Sequence, residues 1–299
     1  MYKGIITPLI TPFNRDEPQS INYEATDTLV NHLIEQGITG IFILGSNGEF
    51  HVIEEAEKLE FAKRVVEVVD KRVPVFAGTG LCSTQETIKL SQAMERIGVD
   101  ALSVITPYFL KPTDEELYQH FKSVAESVKI PIVLYNIPKA TGCPISKEVL
   151  KRLTKIENIQ AIKDSSGDME NLKGYIEVTE GTQVNVLVGS DSKISEAYKL
   201  GATGAIAGTS NLITKVIVDL DKALYAKDYE NAQTLQTDID VLRGLLPLGT
   251  VPSIMKRSVE LAGIAEVGPA RRPVLETTEE TDLKIKEMLK HYKLIPYKI

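Results

Sequence analysis

Residues 40–78 read GIFILGSNGEFHVIEEAEKLEFAKRVVEVVDKRVPVFAG, and this stretch contains the unit that decides the fold. An apolar run, Gly40 to Leu44, is followed by a Gly-rich turn and a helical pattern, Glu54 to Val69. Apolar residues in the helical pattern recur three or four positions apart, with Glu and Lys on the other face. A second apolar run, Val73 to Ala77, follows. This order predicts two parallel strands joined by a helix.

The same alternation repeats along the chain. Eight parallel strands with intervening helices close most simply into a (β/α)8 TIM barrel of the α/β class, although a doubly wound open sheet would show the same alternation. The predicted strands are Gly4 to Ile10, Gly40 to Leu44, Val73 to Ala77, Ala101 to Val104, Pro131 to Tyr135, Gln160 to Ile162, Val184 to Val188 and Ala205 to Ala207. The predicted helices between them are Asn22 to Glu35, Glu54 to Val69, Ser83 to Ile97, Asp114 to Ser127, Lys147 to Lys155, Asn171 to Val178 and Ser192 to Leu200.

From about Thr214 onward only helical patterns remain. No Pro/Ser-rich linker separates them from the strands, so we expect a barrel over residues 1–225 and a C-terminal helical region over 226–299 that packs on it. The predicted C-terminal helices are Val216 to Ala226, Tyr229 to Leu245, Val251 to Leu261 and Glu279 to Tyr292.

Composition limits the partners of this chain. The formal net charge of -7 and the pI near 5.3 argue against nucleic acid, which selects clustered Lys and Arg. No apolar stretch is long enough for a membrane span, and the N-terminus lacks a signal-peptide pattern. Cys82 and Cys143 are too few for a disulfide framework. We therefore expect a cytoplasmic protein that binds neither nucleic acid nor membrane.

Metal and nucleotide cofactors are not indicated. The four histidines are far apart in sequence, which predicts no metal site. Gly78-Thr79-Gly80 lacks the third glycine of a dinucleotide fingerprint, and no segment matches the P-loop pattern.

Lys163 is the reactive side chain that this fold would display most clearly. In a (β/α)8 barrel the reactive groups lie at the C-terminal ends of the strands. Ile159, Ala161 and Lys163 alternate onto one face, which would direct the amine into the barrel mouth. A neutral lysine amine can attack a 2-oxo acid and form an iminium that allows the C3–C4 bond to break or form. A structural lysine that reaches water or pairs with Asp164 is the alternative.

Two further features lie at neighbouring strand ends. Tyr135 could relay protons, or it could be a rim tyrosine whose hydroxyl is in water. The turn at Gly45 to Gly48 offers backbone N–H groups and the short polar side chains of Ser46 and Asn47, which suit a carboxylate better than a metal. Any tight turn could look similar.

Matched in order and spacing, these motifs resemble the dihydrodipicolinate synthase and N-acetylneuraminate lyase family over almost the whole chain. Members of that family are class I, pyruvate-dependent Schiff-base aldolases or lyases on a (β/α)8 barrel. The motifs that carry the resemblance are Gly45-Ser46-Asn47-Gly48-Glu49, Tyr135-Asn136-Ile137-Pro138 with Thr141-Gly142, Ile162-Lys163-Asp164-Ser165, Ala77-Gly78-Thr79-Gly80, Thr106-Pro107-Tyr108 and Gly189-Ser190-Asp191.

The resemblance implies a role for each matched residue. Lys163 would be the Schiff-base lysine and Tyr135 the general acid/base, with neither a separate cofactor nor a metal. The implied substrate-binding residues are Ser46 and Asn47 at the pyruvyl carboxylate, Ile206 through its backbone carbonyl, and Gly189 in the loop lining the distal part of the pocket. The resemblance also implies a homotetramer built as a dimer of dimers.

The sequence departs from the synthases of this family at the second-substrate side. Synthases typically have two threonines where this chain has Ser46 and Asn47, and a carboxylate-gripping arginine where this chain has Ala140. Lys139 is adjacent, but we expect it to point elsewhere unless the turn differs, and a lysine cannot reproduce a bidentate fork.

The proton relay of the synthases also differs here. The tyrosine that they insert from a neighbouring subunit corresponds to Phe109, and Tyr108 could bind substrate in its place only if the loop shifts. The Gly-Ser-Asn-Gly-Glu turn is more similar to that of family members that cleave hydroxylated 2-oxo acids.

We therefore predict reversible cleavage of a 4-hydroxy-2-oxo acid or 2-keto-3-deoxy sugar acid to pyruvate and an aldehyde. The first alternative is 4-hydroxy-tetrahydrodipicolinate synthase, which condenses pyruvate with aspartate semialdehyde in lysine biosynthesis. A dehydratase using the same Schiff base is a further alternative. A non-catalytic pyruvate-binding sensor or scaffold is the alternative from another class.

Overall fold

Eight parallel strands close into a barrel in the computed structural model, which describes residues 2–295. Each strand pairs with the next, and the barrel closes where Ile6 of the first strand pairs with Ile206 of the last. The predicted (β/α)8 barrel is confirmed, and the doubly wound open sheet is excluded. The strands are β1 (Gly4–Pro8), β2 (Gly40–Ile43), β3 (Val75–Gly78), β4 (Ala101–Ile105), β5 (Ile132–Asn136), β6 (Ile159–Asp164), β7 (Asn185–Val188) and β8 (Gly204–Ile206).

Helices follow the strands on the outside of the barrel and continue after β8. The short helix α5 directly after β5 was not predicted, and it begins with Pro138, whose fixed φ suits the first helical position. The helices are α1 (Tyr23–Glu35), α2 (Glu55–Val69), α3 (Thr84–Ile97), α4 (Asp114–Glu126), α5 (Pro138–Thr141), α6 (Lys147–Leu153), α7 (Met169–Thr179), α8 (Ile194–Leu200), α9 (Thr214–Tyr225), α10 (Tyr229–Leu245), α11 (Ser253–Leu261) and α12 (Glu279–His291).

The barrel interior is filled by one side chain from every strand. These residues form a cluster distinct from the larger core between the strands and the helices. A barrel filled in this way is a packed core, so ligands can bind only at its ends. The interior cluster consists of Ile6, Phe42, Phe76, Ala101, Val133, Ala161, Leu187 and Ile206, together with Tyr2.

One prediction about β6 is wrong. Ile159 does not share a face with Ala161 and Lys163 but packs in the larger core outside the barrel. The register between β5 and β6 shifts at this point, because Ile132 pairs with Ile159 while Val133 pairs with Ala161. The extra residue in β6 reverses the alternation of side chains between the two faces for the residues of β6 that precede it. Lys163 and Ala161, which follow the shift, keep the predicted face.

The C-terminal helices pack on the barrel and on each other. Helix α10 lies along α9, and α12 contacts both α10 and α11. No helix within residues 2–295 combines the length and the apolar character needed to cross a membrane. Met1 and residues 296–299, which belong to the two predicted regions 1–225 and 226–299, lie outside the described residues.

His120 on α4 predicts that the free energy of unfolding falls at acid pH. Its side chain is buried, its Nδ1 lies 2.9 Å from Thr84 Oγ1, and burial lowers the pKa of His120 from its ordinary 6.5 to about 4. As the pH falls from 6.5 to 4, His120 binds a proton in the unfolded chain but stays neutral in the folded chain. The free energy of unfolding should therefore fall across this window, by up to about 3 kcal/mol from this residue.

Urea unfolding of wild type and His120→Gln between pH 7 and 4 measures this contribution. The slope of stability against pH should be shallower in the variant, while His51→Gln, at an exposed position, should keep the wild-type slope. An unchanged slope in His120→Gln would contradict the assignment.

Candidate active site

A cavity of about 500 Å³ opens where the strands end, beside the C-terminal helices. Its wall is built from residues at or just after the carboxyl ends of β2, β5, β6, β7 and β8, and from residues of α10, α11 and the segment between them. Six of the predicted site residues line it: Ser46, Asn47, Tyr135, Lys163, Gly189 and Ile206. This is the end of a (β/α)8 barrel at which such enzymes place their chemistry.

Lys163 extends from the end of β6 into the floor of this cavity. Only 4% of the residue is exposed, and it pairs in register with Tyr135 on β5. Its Nζ lies 4.0 Å from the centroid of the Tyr135 ring and 5.1 Å from that of Phe42. Within residues 2–295 no carboxylate forms a salt bridge with this amine. Lys163 is therefore a buried lysine that faces a cavity and lacks a counter-ion in the described chain.

Asp164 is not the partner of Lys163. As the next residue along the strand it points to the opposite face. Its carboxylate accepts hydrogen bonds from Asn136 Nδ2 at 2.8 Å, from the Ser166 N–H at 3.0 Å and from Asn171 Nδ2 at 3.1 Å. These bonds hold the loop after β6 against β5 and α7. The structural alternative, in which Lys163 pairs with its neighbour, is excluded by this geometry.

The turn after β2 brings Ser46 to Tyr135. The Ser46 Oγ and the Tyr135 hydroxyl are 3.4 Å apart. The turn is closed by the Glu49 N–H, which donates to the Ser46 carbonyl at 3.2 Å, and is anchored by Thr11 Oγ1, which donates to the Gly48 carbonyl at 2.7 Å. Tyr135, Ser46 and Lys163 thus line one part of the cavity, where the Tyr135 ring faces the amine and the Tyr135 hydroxyl faces Ser46.

Asn47 and the end of β8 form the adjoining wall. A Cβ at Gly208 would lie only 3.1 Å from Asn47 Nδ2, so the amide rests against the glycine backbone. The Gly208 N–H donates to the Asp191 carboxylate at 3.2 Å, which fixes the start of the short 3-10 helix Gly208–Asn211. Ile206 lines the cavity while its side chain packs in the barrel interior. Asn47 is therefore held close to the end of β8.

Gly189 lies against the stem of the Lys163 side chain, closer to it than the resemblance implied. We expected it in the distal part of the pocket, but a Cβ at this position would be 2.8 Å from Lys163 Cε and closer still to Ser165 Oγ. The cause is the hydrogen bond from the Gly189 N–H to the Asp164 carbonyl at 2.8 Å, which extends the β6–β7 pairing beyond the strand. Gly189 gives the lysine stem the space that it occupies.

Gly189→Ala should therefore displace the Lys163 amine and lower kcat/KM by about 100-fold, the effect typical of a misplacement near 1 Å. The added methyl group meets the Ser165 and Lys163 side chains most closely and the Asp164 carbonyl only at 3.2 Å, so the melting temperature should change less than the activity. Gly244→Ala, at an exposed position of α10 with open space around it and no positive φ, is the matched control and should leave kcat/KM and the melting temperature near wild type. A Gly189→Ala enzyme with wild-type kcat/KM would contradict this placement.

Tyr108 and Phe109 do not reach the cavity within one chain. The Tyr108 ring packs edge-on against Phe50, its carbonyl accepts a hydrogen bond from Cys82 Sγ at 2.9 Å, and burial raises the pKa of Tyr108. Phe109 is 93% exposed, with a positive φ of 88°. The substrate-binding role of Tyr108 stays a prediction that this single chain does not support.

Lys139 takes a different position from the predicted one. We expected it to point away from the site, but both Lys139 and Ala140 line the cavity. The segment after β5 is a helical turn, so the two side chains fan out along the rim of the opening. Lys139 is exposed, as expected of a long side chain at such a rim.

Two features of the site carry no local sequence pattern. Arg243, at the end of α10, lines the cavity. Behind the Ser46 turn, Lys256 Nζ lies 3.0 Å from Glu49 Oε1, and both side chains are almost fully buried, at 1% and 2% exposure. Residues 2–295 contain no group of three or more His, Cys, Asp or Glu side chains placed to hold a metal ion.

Comparisons with known proteins show similarity to one family along almost the whole chain. A model of the dihydrodipicolinate synthetase family matches residues 1–292. A 4-hydroxy-tetrahydrodipicolinate synthase of Methanopyrus kandleri is 35% identical over 98% of this chain and 97% of its own length.

Solved structures give the same result. A dihydrodipicolinate synthase of Bacillus anthracis superposes with a TM-score of 0.93 at 35% identity, covering 99% of both chains. YagE, an Escherichia coli K12 prophage protein described as belonging to the dihydrodipicolinic acid synthase family and solved in complex with pyruvate, has a TM-score of 0.93 at 32% identity. That likeness covers 99% of this chain and 100% of YagE.

Proposed function

The chain belongs to the dihydrodipicolinate synthetase family, which makes it an enzyme of the class I aldolase and lyase type, and on that basis we propose that it forms a Schiff base between Lys163 and pyruvate. The observation that carries the proposal is the placement of Lys163. Its amine is buried, faces the cavity and lies 4.0 Å from the centroid of the Tyr135 ring, whose hydroxyl is 3.4 Å from Ser46 Oγ.

The proposed chemistry begins with attack of the Lys163 Nζ on the C2 carbonyl carbon of pyruvate. The carbinolamine loses water to give an iminium, and removal of a C3 proton gives an enamine. The enamine electron pair then forms a bond from C3 to the carbonyl carbon of an aldehyde, whose oxygen takes up a proton. Hydrolysis of the new iminium releases the product and restores the amine. Run in reverse, the same steps cleave a hydroxylated 2-oxo acid.

Tyr135 is the group placed to move these protons. Its ring lies over the amine, and its hydroxyl lies within 3.4 Å of Ser46 Oγ, so the pair can pass a proton along the cavity floor. The Asn47 amide and the backbone of the same turn would receive the pyruvyl carboxylate. No group supplied by a metal is needed in these steps.

Two reactions are candidates for the second half of the chemistry, and each uses a different second substrate. The names of the relatives favour 4-hydroxy-tetrahydrodipicolinate synthase, the alternative reaction, over the predicted cleavage of a hydroxylated 2-oxo acid. The second reaction is supported by Ala140 and by the Ser46-Asn47 pair, where the synthase pattern has an arginine and two threonines. The two reactions share the Schiff base and the enamine, and they differ in the aldehyde.

Steady-state kinetics with pyruvate and a panel of aldehydes separate the candidates. A kcat/KM for aspartate semialdehyde more than about 100-fold above that for glyceraldehyde would support the synthase, and the reverse ratio would support the aldolase. Turnover of neither aldehyde, together with no covalent capture of pyruvate, would contradict the proposed Schiff-base chemistry.

A further inference from the structure

Arg243 lies on the wall of the cavity that contains Lys163, although it comes from a helix outside the barrel. It belongs to the last turn of α10, and it lines the cavity together with Leu246 and Thr250. Its side chain is partly buried. A guanidinium in this position can reach a molecule bound in the cavity.

One hydrogen bond orients the guanidinium and leaves its two terminal nitrogens without a partner among the described residues. Its Nε donates to Ser192 Oγ at 3.2 Å, in the short 3-10 helix that follows β7. Among the described residues no acceptor lies in hydrogen-bonding range of its two terminal nitrogens, and no carboxylate forms an ion pair with it. Arg257, by contrast, directs its guanidinium to the carboxylates of Asp282 and Glu260. Arg243 therefore presents two terminal NH2 groups without a partner in residues 2–295.

The charges on the cavity wall favour an anion. Lys139, Lys163 and Arg243 line the cavity, and Asp191 is the single carboxylate among its described lining residues. The Asp191 carboxylate already accepts the Gly208 N–H at 3.2 Å and the Thr209 N–H at 2.8 Å. In a chain with a net charge of -7, this wall is a local concentration of positive charge.

We propose that Arg243 binds an oxyanion, a carboxylate or a phosphate, at the far end of the second substrate. This inference rests on the proposed Schiff base, because the substrate is tethered at Lys163 while Arg243 meets its other end. Ala140 contributes no charge after β5, and a planar guanidinium fork is the group best suited to grip an oxyanion with two hydrogen bonds. The enzyme should then prefer aldehydes or 2-oxo acids with a terminal anion over uncharged ones of the same length.

Covalent capture by borohydride tests this without knowledge of the natural substrate. Three dicarboxylates, 2-oxoglutarate, 2-oxoadipate and 2-oxopimelate, are compared with the monocarboxylates of equal length, 2-oxopentanoate, 2-oxohexanoate and 2-oxoheptanoate. Adduct formation is measured by mass spectrometry against concentration. Wild type should capture at least one dicarboxylate at lower concentration than its counterpart.

Arg243→Met should raise the half-saturating concentration of that dicarboxylate by about 10- to 100-fold, the effect of one charged hydrogen-bonding group. Capture of pyruvate and of the monocarboxylates should be unchanged. Arg96→Met, which removes an exposed arginine on α3, should behave as wild type throughout. In a parallel arm, turnover of pyruvate with glyceraldehyde 3-phosphate and with glyceraldehyde identifies a phosphate as the bound group if Arg243→Met impairs only the phosphorylated aldehyde.

Three results would overturn the proposal. The first is no preference of wild type for any anionic probe, and the second is equal weakening of charged and uncharged probes by Arg243→Met. The third is a charge-specific loss in Lys139→Met with none in Arg243→Met, which would move the clamp to Lys139. Failure of wild type to capture pyruvate is a different outcome, because it contradicts the Schiff base itself and not only the role of Arg243.

Discussion

Lys163→Met should abolish turnover, with a loss of kcat/KM on the order of 10⁴-fold or more, as when the nucleophile of a covalent mechanism is removed. Methionine keeps the length and the apolar stem of the side chain but cannot form an iminium. The variant should still fold, because the Lys163 amine forms no salt bridge with any described residue and a volume-conserving substitution costs less than about 1.5 kcal/mol. Steady-state assays and thermal unfolding of the same preparation measure both quantities.

Lys215→Met provides the matched control for this loss. Lys215 is a surface lysine on α9, and its replacement should leave both activity and melting temperature near wild type. Retention of more than about 1% of wild-type kcat/KM by Lys163→Met would contradict the covalent mechanism. A collapsed melting temperature would instead assign Lys163 a structural role.

Lys256→Met should destabilise the fold by about 3–5 kcal/mol, the largest effect on stability that we expect from one substitution. Lys256 donates to Glu49 at 3.0 Å, to the Thr11 carbonyl at 2.8 Å and to the Pro269 carbonyl at 2.6 Å. Burial lowers the pKa of Lys256 to about 8, against the opposing attraction of the Glu49 carboxylate. Removing the lysine leaves that carboxylate buried, with the Arg271 N–H at 2.7 Å as its remaining donor.

A double-mutant cycle in urea separates the pair from its surroundings. Glu49→Leu together with Lys256→Met should be less destabilised than the sum of the two single variants, because no lone buried charge remains. Lys215→Met, which breaks an exposed ion pair, should cost at most about 1 kcal/mol. A Lys256→Met protein within about 1 kcal/mol of wild type would contradict a stabilising role for this buried pair between α11 and the turn after β2.

The fold was accessible to sequence reasoning because each element carries its own period. Every predicted strand is present within a few residues of its predicted ends, as β4, predicted as Ala101 to Val104 and observed as Ala101–Ile105, illustrates. The meeting of Lys163 with Tyr135 followed from the same source, because adjacent parallel strands end at the same edge. Local pattern therefore determined the elements and, through them, the floor of the site.

Local irregularities were not predictable in this way. A period-two pattern assumes a regular strand. Because the register shifts beside Ile132, the pattern predicts the wrong face for Ile159. In the same way, the helical turn of α5 brought Lys139 to the cavity although the sequence placed it elsewhere. Both features depend on backbone geometry that a pattern of apolar residues does not encode.

Partners distant in sequence were also beyond prediction. Glu49 and Lys256 are 207 residues apart, and nothing in either neighbourhood indicates that the two side chains would be buried together. Arg243 lies on a helix whose apolar pattern predicts packing, not a role in a cavity. Such contacts are set by how the C-terminal helices dock, which requires the three-dimensional structure.

The most direct test of the Schiff-base proposal is capture of pyruvate on the wild-type enzyme. The protein is incubated with pyruvate, reduced with borohydride, digested and analysed by mass spectrometry. We expect one reduced pyruvyl group per chain, on the peptide that contains Lys163, and none when pyruvate or borohydride is omitted. No adduct, or an adduct on Lys139 or Lys256 in place of Lys163, would contradict the account.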